Sequence, residues 1–96
     1  MYEVLFSPAA ARYLKKIKER ALKEEFRRAV SSIAENPYAG SAKKGDLSGI
    51  YGYDVRRAGI SYEIAYMIFE NERKRVVVVL AGTRENFYEQ LKKYMR

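Results

Sequence analysis

The 96-residue chain contains no histidine and no cysteine. Any acid–base or phosphate chemistry must therefore come from arginine, lysine, tyrosine, aspartate and glutamate. The residues of interest are Arg56 and Arg57, Arg84 and Tyr88, and Lys43 and Lys44, with Tyr51 and Tyr53 close by in sequence. Guanidinium groups bind phosphate bidentately and keep their charge. Tyrosine rings can stack on bases, and their hydroxyls can move a proton. RNA can be cleaved without a metal by attack of its own 2′-hydroxyl. That step needs a base, a cation for the phosphorane-like transition state and an acid for the leaving oxygen. Without histidine, the base is a carboxylate, a lysine or a tyrosine. Each residue also has a plainer reading. Arg56 and Arg57 suit an exposed strand, Tyr88 could simply cover the sheet, and Tyr53, Tyr62 and Tyr66 share an inward face with Val55.

Several classes fall away. Metal-ligand spacing is absent, because the carboxylates are scattered. There is no Ser/His or Cys/His pair. The glycines of residues 37–52 form neither a dinucleotide fingerprint nor a phosphate loop, since the strand–glycine–helix order is missing. No cofactor is expected. The absence of cysteine suits a reducing compartment. No apolar run approaches membrane-spanning length, and no signal peptide is seen at the start, so a cytoplasmic protein is expected. The net charge of +7 favours polyanionic partners, and the basic residues are spread along the chain rather than gathered in a tail.

The elements that must position these residues follow from periodicity. Tyr2, Val4 and Phe6 alternate as a short first strand. Ser7-Pro8 reads as an N-cap with proline at the first helical position. Ala10, Tyr13, Leu14 and Ile17 form one apolar stripe; Leu22, Phe26, Ala29, Val30 and Ile33 form another. Their centres lie roughly 150° apart, so a break near residues 18–21 makes a helical hairpin. Asn36-Pro37 ends the second helix. After an irregular stretch over 37–52, strands are predicted at 53–57, 61–70 and 73–81. Ala58-Gly59 and Asn71-Glu72 are the expected hairpin turns. Thr83 is expected to cap a last helix that Arg84 opens, with Phe87, Leu91 and Tyr94 facing inward. The expected fold is α+β, a small antiparallel sheet in the order β-α-α-β-β-β-α with the helical hairpin packed on it. Residues 1–96 form one domain.

Two carboxylates complicate this picture. A two-residue turn at Ala58-Gly59 sets Asp54 opposite Glu63, where like charges repel, or where the two carboxylates share a proton and one can act as base. A wider turn sets Arg56 opposite Glu63. The sequence leaves both registers open.

The pattern resembles the RelE/ParE superfamily of bacterial and archaeal type II toxins. The resemblance rests on the element order, the Glu35-Asn36-Pro37 helix end, Lys43-Lys44 and Leu47-Ser48-Gly49. It continues through Tyr53-Asp54-Val55-Arg56, Tyr62-Glu63-Ile64-Ala65-Tyr66 and Gly82-Thr83-Arg84-Glu85-Asn86-Phe87-Tyr88. It covers nearly the whole chain. It implies a toxin restrained by a cognate acidic antitoxin, in a hetero-oligomer. RelE-like members cut mRNA in the ribosomal A site; ParE-like members inhibit DNA gyrase and are not nucleases. The resemblance makes Arg56, Arg84 and Tyr88 the catalytic candidates. Lys43, Lys44, Arg57 and Tyr51 are the RNA-binding candidates, with no metal site. Two positions depart from the RelE-like pattern: Asp54 stands where lysine is common, and Glu63 where a third-strand arginine is expected.

Overall fold

A computed structural model of the chain describes residues 1–95. The elements are β1 (Glu3–Phe6), α1 (Pro8–Lys16), α2 (Arg20–Glu35), β2 (Ser41–Ala42), β3 (Tyr51–Arg57), β4 (Ile60–Phe69), β5 (Arg75–Thr83) and α3 (Phe87–Tyr94). Short 3₁₀ turns at Pro37–Ala39 and Gly45–Leu47 flank β2. The five strands form one sheet in the order β1-β5-β4-β3-β2. β1 pairs with β5 in parallel, whereas all other pairs are antiparallel. The sheet is therefore mixed rather than purely antiparallel. Alternation in the sequence identifies a strand but carries no information on its direction, and here the helical hairpin returns the chain across one face of the sheet.

Local chemistry accounts for the helical hairpin. The Ser7 hydroxyl accepts the Ala10 N–H at 3.1 Å and donates to the Val79 carbonyl at 2.6 Å. One side chain thus caps α1 and ties it to β5, and Pro8 sits where a missing N–H costs nothing. Ile17 and Glu19 are extended, which breaks the helix and brings the second apolar stripe into phase with the first. Phe26 then meets Tyr13 and Tyr62 edge-on, with ring centroids 6.2 and 5.6 Å apart. Such contacts contribute about 0.5–1.5 kcal/mol each beyond the area they bury.

The sheet has two covered faces. Val55, Tyr62, Ile64, Tyr66, Val76 and Val78 pack under α1 and α2. Ala65 and Leu80 pack on the other side with Leu47, Ile50, Phe87 and Leu91. Between β4 and β5, Ala65 opposes Leu80 but Tyr66 opposes Val78, so Val79 is an extra residue in β5. This bulge moves Leu80 to the α3 face and Ala81 to the helical face, reversing the alternation of the lower strand.

The two-residue turn is the narrow one. Arg57 opposes Ile60 across Ala58 (φ 53°) and Gly59 (φ 78°), the positive angles of a type I′ turn. Elsewhere the boundaries differ from expectation. Residues 70–74 form a longer connection than an Asn71-Glu72 turn. Thr83 ends β5 rather than capping α3. The N-cap of α3 is Asn86, at φ 58° and without a side-chain cap bond. Arg84 consequently lies in the β5–α3 connection, not in a first helical turn, and its N–H bonds the Ser61 carbonyl at 3.0 Å. Tyr94, expected to face inward, is 55% exposed. It is the last residue of α3.

Alanine is the wrong residue for a left-handed position, and asparagine tolerates it. Ala58→Asn should stabilise the fold by about 0.5–1 kcal/mol, read as a raised urea midpoint at unchanged m-value.

Candidate active site

The type I′ turn determines the site. It sets Asp54 opposite Glu63 and Arg56 opposite Ser61. Glu63 also opposes Gly82 of β5, on the face covered by α3. Glu63 is consequently 1% exposed, the one fully buried charged side chain among the described residues. Asp54 remains exposed, because β2 pairs only with Tyr51 and Gly52 and leaves the rest of β3 as an edge.

Three residues converge on the Glu63 carboxylate. The Tyr88 hydroxyl donates a hydrogen bond to Oε2. Lys43 Nζ lies 4.0 Å from the same oxygen and 4.9 Å above the Tyr88 ring. Arg84 Nε stands 3.7 Å from Oε1, and its Nη1 is 3.3 Å from Asp54 Oδ1. Gly52 makes this approach possible. A Cβ there would meet Tyr88 Oη at 2.6 Å and Lys43 Cε at 2.9 Å, with the carboxylate closer still. The cluster borders a polar hollow of about 290 Å³, whose walls include Gly40, Ser41, Lys43, Gly52, Tyr53, Asp54, Glu63 and Arg84. Glu63 Oε1 is buried and has no hydrogen-bond partner within the protein.

This environment sets the proton affinities. Burial pushes the Glu63 carboxyl above its ordinary range, and neighbouring Asp54 adds to the rise. The Tyr88 bond and the Arg84 charge pull it down without overcoming burial. Tyr88 is driven far up by burial and by Glu63, so it remains a neutral donor. The phenol is therefore held as the partner that orients the carboxylate. With the phenol neutral, the carboxylate is the member of the pair that can accept a proton; its Oε2 is oriented by Tyr88, and its Oε1 faces Arg84 without a hydrogen bond.

The residues named from the sequence divide into two groups. Arg84, Tyr88 and Lys43 meet around Glu63. Arg56 lies on the same face of the sheet as Glu63 but one pair nearer the turn, and its Nε is 3.4 Å from Ser61 Oγ rather than on the carboxylate. Arg57 turns to the helical face and pairs with Glu19 at 3.0 Å. Lys44 is exposed and precedes the second 3₁₀ turn. Tyr51 stacks on Tyr66 at 5.8 Å and takes Tyr38 edge-on at 5.8 Å. Glu63, Asp54 and Gly52 complete the cluster; none was among the candidate site residues, although the narrow register already brought the two carboxylates together. Two signals pointed to them. A glutamate interrupts the apolar run of β4, and a glycine stands inside a strand, where it often marks a close approach.

A carboxyl whose affinity for its proton is raised by folding stabilises the fold fully below its unfolded value of about 4.3. That contribution is lost as pH rises through the higher folded value. Glu63→Gln keeps the neutral shape, so the difference in melting temperature between variant and parent should grow in the variant's favour from pH 4 to 8. A difference independent of pH would contradict the raised affinity. Gly52→Ala should separate Tyr88 from Glu63 and cost about 1–3 kcal/mol in chemical unfolding.

Comparison with known proteins gives a consistent picture. A family model described as ParE-like toxin of type II bacterial toxin-antitoxin system matches residues 4–92. A variant of the E. coli toxin RelE in the free state is similar in fold, with a TM-score of 0.76 at 20% identity, covering 99% of this chain and 98% of that one. A chain of the intact E. coli RelBE toxin-antitoxin complex gives 0.68 at 21% identity, covering 85% and 95%. One from the RelBE2 toxin-antitoxin complex of Mycobacterium tuberculosis gives 0.65 at 28% identity, covering 86% and 98%. No curated protein matches the sequence. With nearly its whole length matched, the chain belongs to the ParE-like toxins of type II bacterial toxin-antitoxin systems.

Proposed function

We propose that this toxin is a ribosome-dependent endoribonuclease that cleaves mRNA without a metal ion and so blocks translation. One observation carries the reading: the buried Glu63 has an unpartnered oxygen on a polar hollow flanked by two cations. The protein closes that oxygen off from solvent, so substrate entry has to uncover it before it takes the proton of a ribose 2′-hydroxyl. The 2′-oxygen then attacks phosphorus, the bond to the 5′-oxygen breaks and a 2′,3′-cyclic phosphate is left. Arg84 faces the charge that develops on the phosphorane. Lys43, held over the Tyr88 ring, supplies a proton to the leaving 5′-oxygen. Tyr88 holds the base in position. Raised proton affinity suits the task, because a base poised nearer neutral pH is the stronger catalyst. The +7 charge suits a ribosomal target, and the RelE-like fold supports the same assignment. The RelBE complexes support a cognate antitoxin as the partner that restrains the toxin.

A specific observation favours a second reading. Asp54 and Glu63 already compensate the Arg84 guanidinium, as they would in a toxin that binds its target without cutting RNA, such as a gyrase inhibitor.

Induction of the parent with transcript-end mapping separates the two. New mRNA ends in frame with codons are expected. DNA-damage signalling with intact mRNA would overturn the nuclease reading. Glu63→Gln and Arg84→Ala should each lower cleavage by about 10²–10³-fold and be tolerated by cells that the parent arrests. Asp54→Asn removes a neighbour that raises the Glu63 proton affinity. The acid limb of the pH–rate profile should therefore move to lower pH in this variant.

A further inference from the structure

The Glu63 carboxylate is closed off in this structure, and the two cations on its hollow divide the two oxygens between them. Lys43 stands with Tyr88 against Oε2, and Arg84 stands against the unpartnered Oε1, its Nε 3.7 Å away. The backbone of Arg84 is fixed, because its N–H bonds the Ser61 carbonyl at 3.0 Å. Only its side chain is free to swing, and that side chain is half exposed, whereas the carboxylate behind it is 1% exposed. The guanidinium is also tethered from the solvent side. Asp54 opposes Glu63 from the edge strand β3, and its Oδ1 lies 3.3 Å from Arg84 Nη1. Asp54 lines the same hollow and is itself exposed, so it can release the guanidinium without disturbing the sheet.

We propose that Asp54 is a positioning residue that acts through Arg84: it holds the guanidinium over Glu63 Oε1 until a phosphate of the substrate takes the guanidinium from it. The inference rests on the nuclease reading above and supplies the step that uncovers the base. The exchange has a physical direction. An ion pair between two exposed side chains stabilises little. A phosphate offers a guanidinium parallel, charge-assisted hydrogen bonds with matched geometry. One displacement then does two things: it puts Arg84 on the phosphate, and it opens Oε1 to the adjoining 2′-hydroxyl. Without a phosphate the base stays covered. Asp54 sets the threshold, since the apparent affinity of an anion for Arg84 falls with the fraction of molecules whose tether is open.

The test labels Glu63 of the purified protein with a carbodiimide and an amine, read by peptide mass, with sulfate standing in for the phosphate. Sulfate should speed labelling of the parent relative to chloride at equal ionic strength. Arg84→Gln should show no such response, and Glu63→Gln should take no label at that position. Asp54→Asn should be labelled faster than the parent without sulfate, and should reach half its sulfate response at about two- to fivefold lower concentration. The direction is informative. Loss of Asp54 lowers the Glu63 proton affinity, which by itself slows a reaction that requires the protonated acid, so faster labelling reports opening. Labelling well below each melting midpoint keeps unfolding out of the comparison. The inference is overturned if sulfate leaves the parent unchanged, if Arg84→Gln responds as the parent does, or if Asp54→Asn is labelled no faster. The nuclease reading fails separately. If the labelling results hold while Glu63→Gln stays as toxic as the parent, Asp54 and Arg84 remain an anion-driven gate and the cleavage chemistry falls.

Discussion

A carboxylate taken out of water must be compensated, and Glu63 imposes that requirement on much of the molecule. An isolated buried charge is expensive enough that a group usually gives up its charge or finds partners. Glu63 does both in part: its proton affinity rises, and a phenol, an ammonium and a guanidinium gather around it. Each partner comes from a different segment. Lys43 comes from the connection after β2, Arg84 from the end of β5 and Tyr88 from the first turn of α3. The carboxylate therefore fixes how the loop and the last helix sit on the sheet. It also forbids a side chain at position 52.

The cluster is made possible by two irregularities in an otherwise regular sheet. The tight turn after β3 places Asp54 and Glu63 side by side, an arrangement that like charges disfavour unless something compensates them. The bulge at Val79 shifts β5 by one residue, so that Gly82 rather than Ala81 lies beside Glu63 on the α3 face. Arg84 follows two residues later, level with Ser61, and its side chain reaches back to the carboxylate. A regular β5 would have carried this arginine to the opposite face. The position that the RelE-like pattern fills with arginine holds an acid here, and nearby cations from other segments form a mixed acid–base cluster around it.

Much of the fold was legible, for identifiable reasons. The two apolar stripes of α1 and α2 differ in phase, which forces a break between them. Ser7-Pro8 and Asn36-Pro37 mark helix ends with chemistry that has few other uses. Strand direction was not legible: β1 looks the same whether it runs parallel or antiparallel to β5. The start of α3 was misplaced because Thr83 is a good cap by type, yet the β5 ladder holds it and left-handed Asn86 takes that role. In the site, Arg84, Tyr88 and Lys43 could be named by residue type. Arg57 and Tyr51 could not be assigned a direction, since one residue of register decides which face a strand side chain takes. Glu63 was visible only as an anomaly. Its meaning depended on whether the turn held two residues or more.

The parallel pairing of β1 with β5 also governs when this protein comes into being. Residues 3–6 find their partners at 75–78, and Ser7 bonds the carbonyl of Val79. The first strand must wait, unpaired, while almost all the chain is synthesised. Long-range pairing of this kind is slow to form and closes late. Arg84 and Tyr88 are made after those partners, so the Glu63 cluster is completed only after β5 has been synthesised. A chain made only as far as β5 has Lys43 and Glu63 but neither Arg84 nor Tyr88. The order of the strands thus ties completion of the sheet to the last part of the chain to be made, the part that also completes the Glu63 cluster.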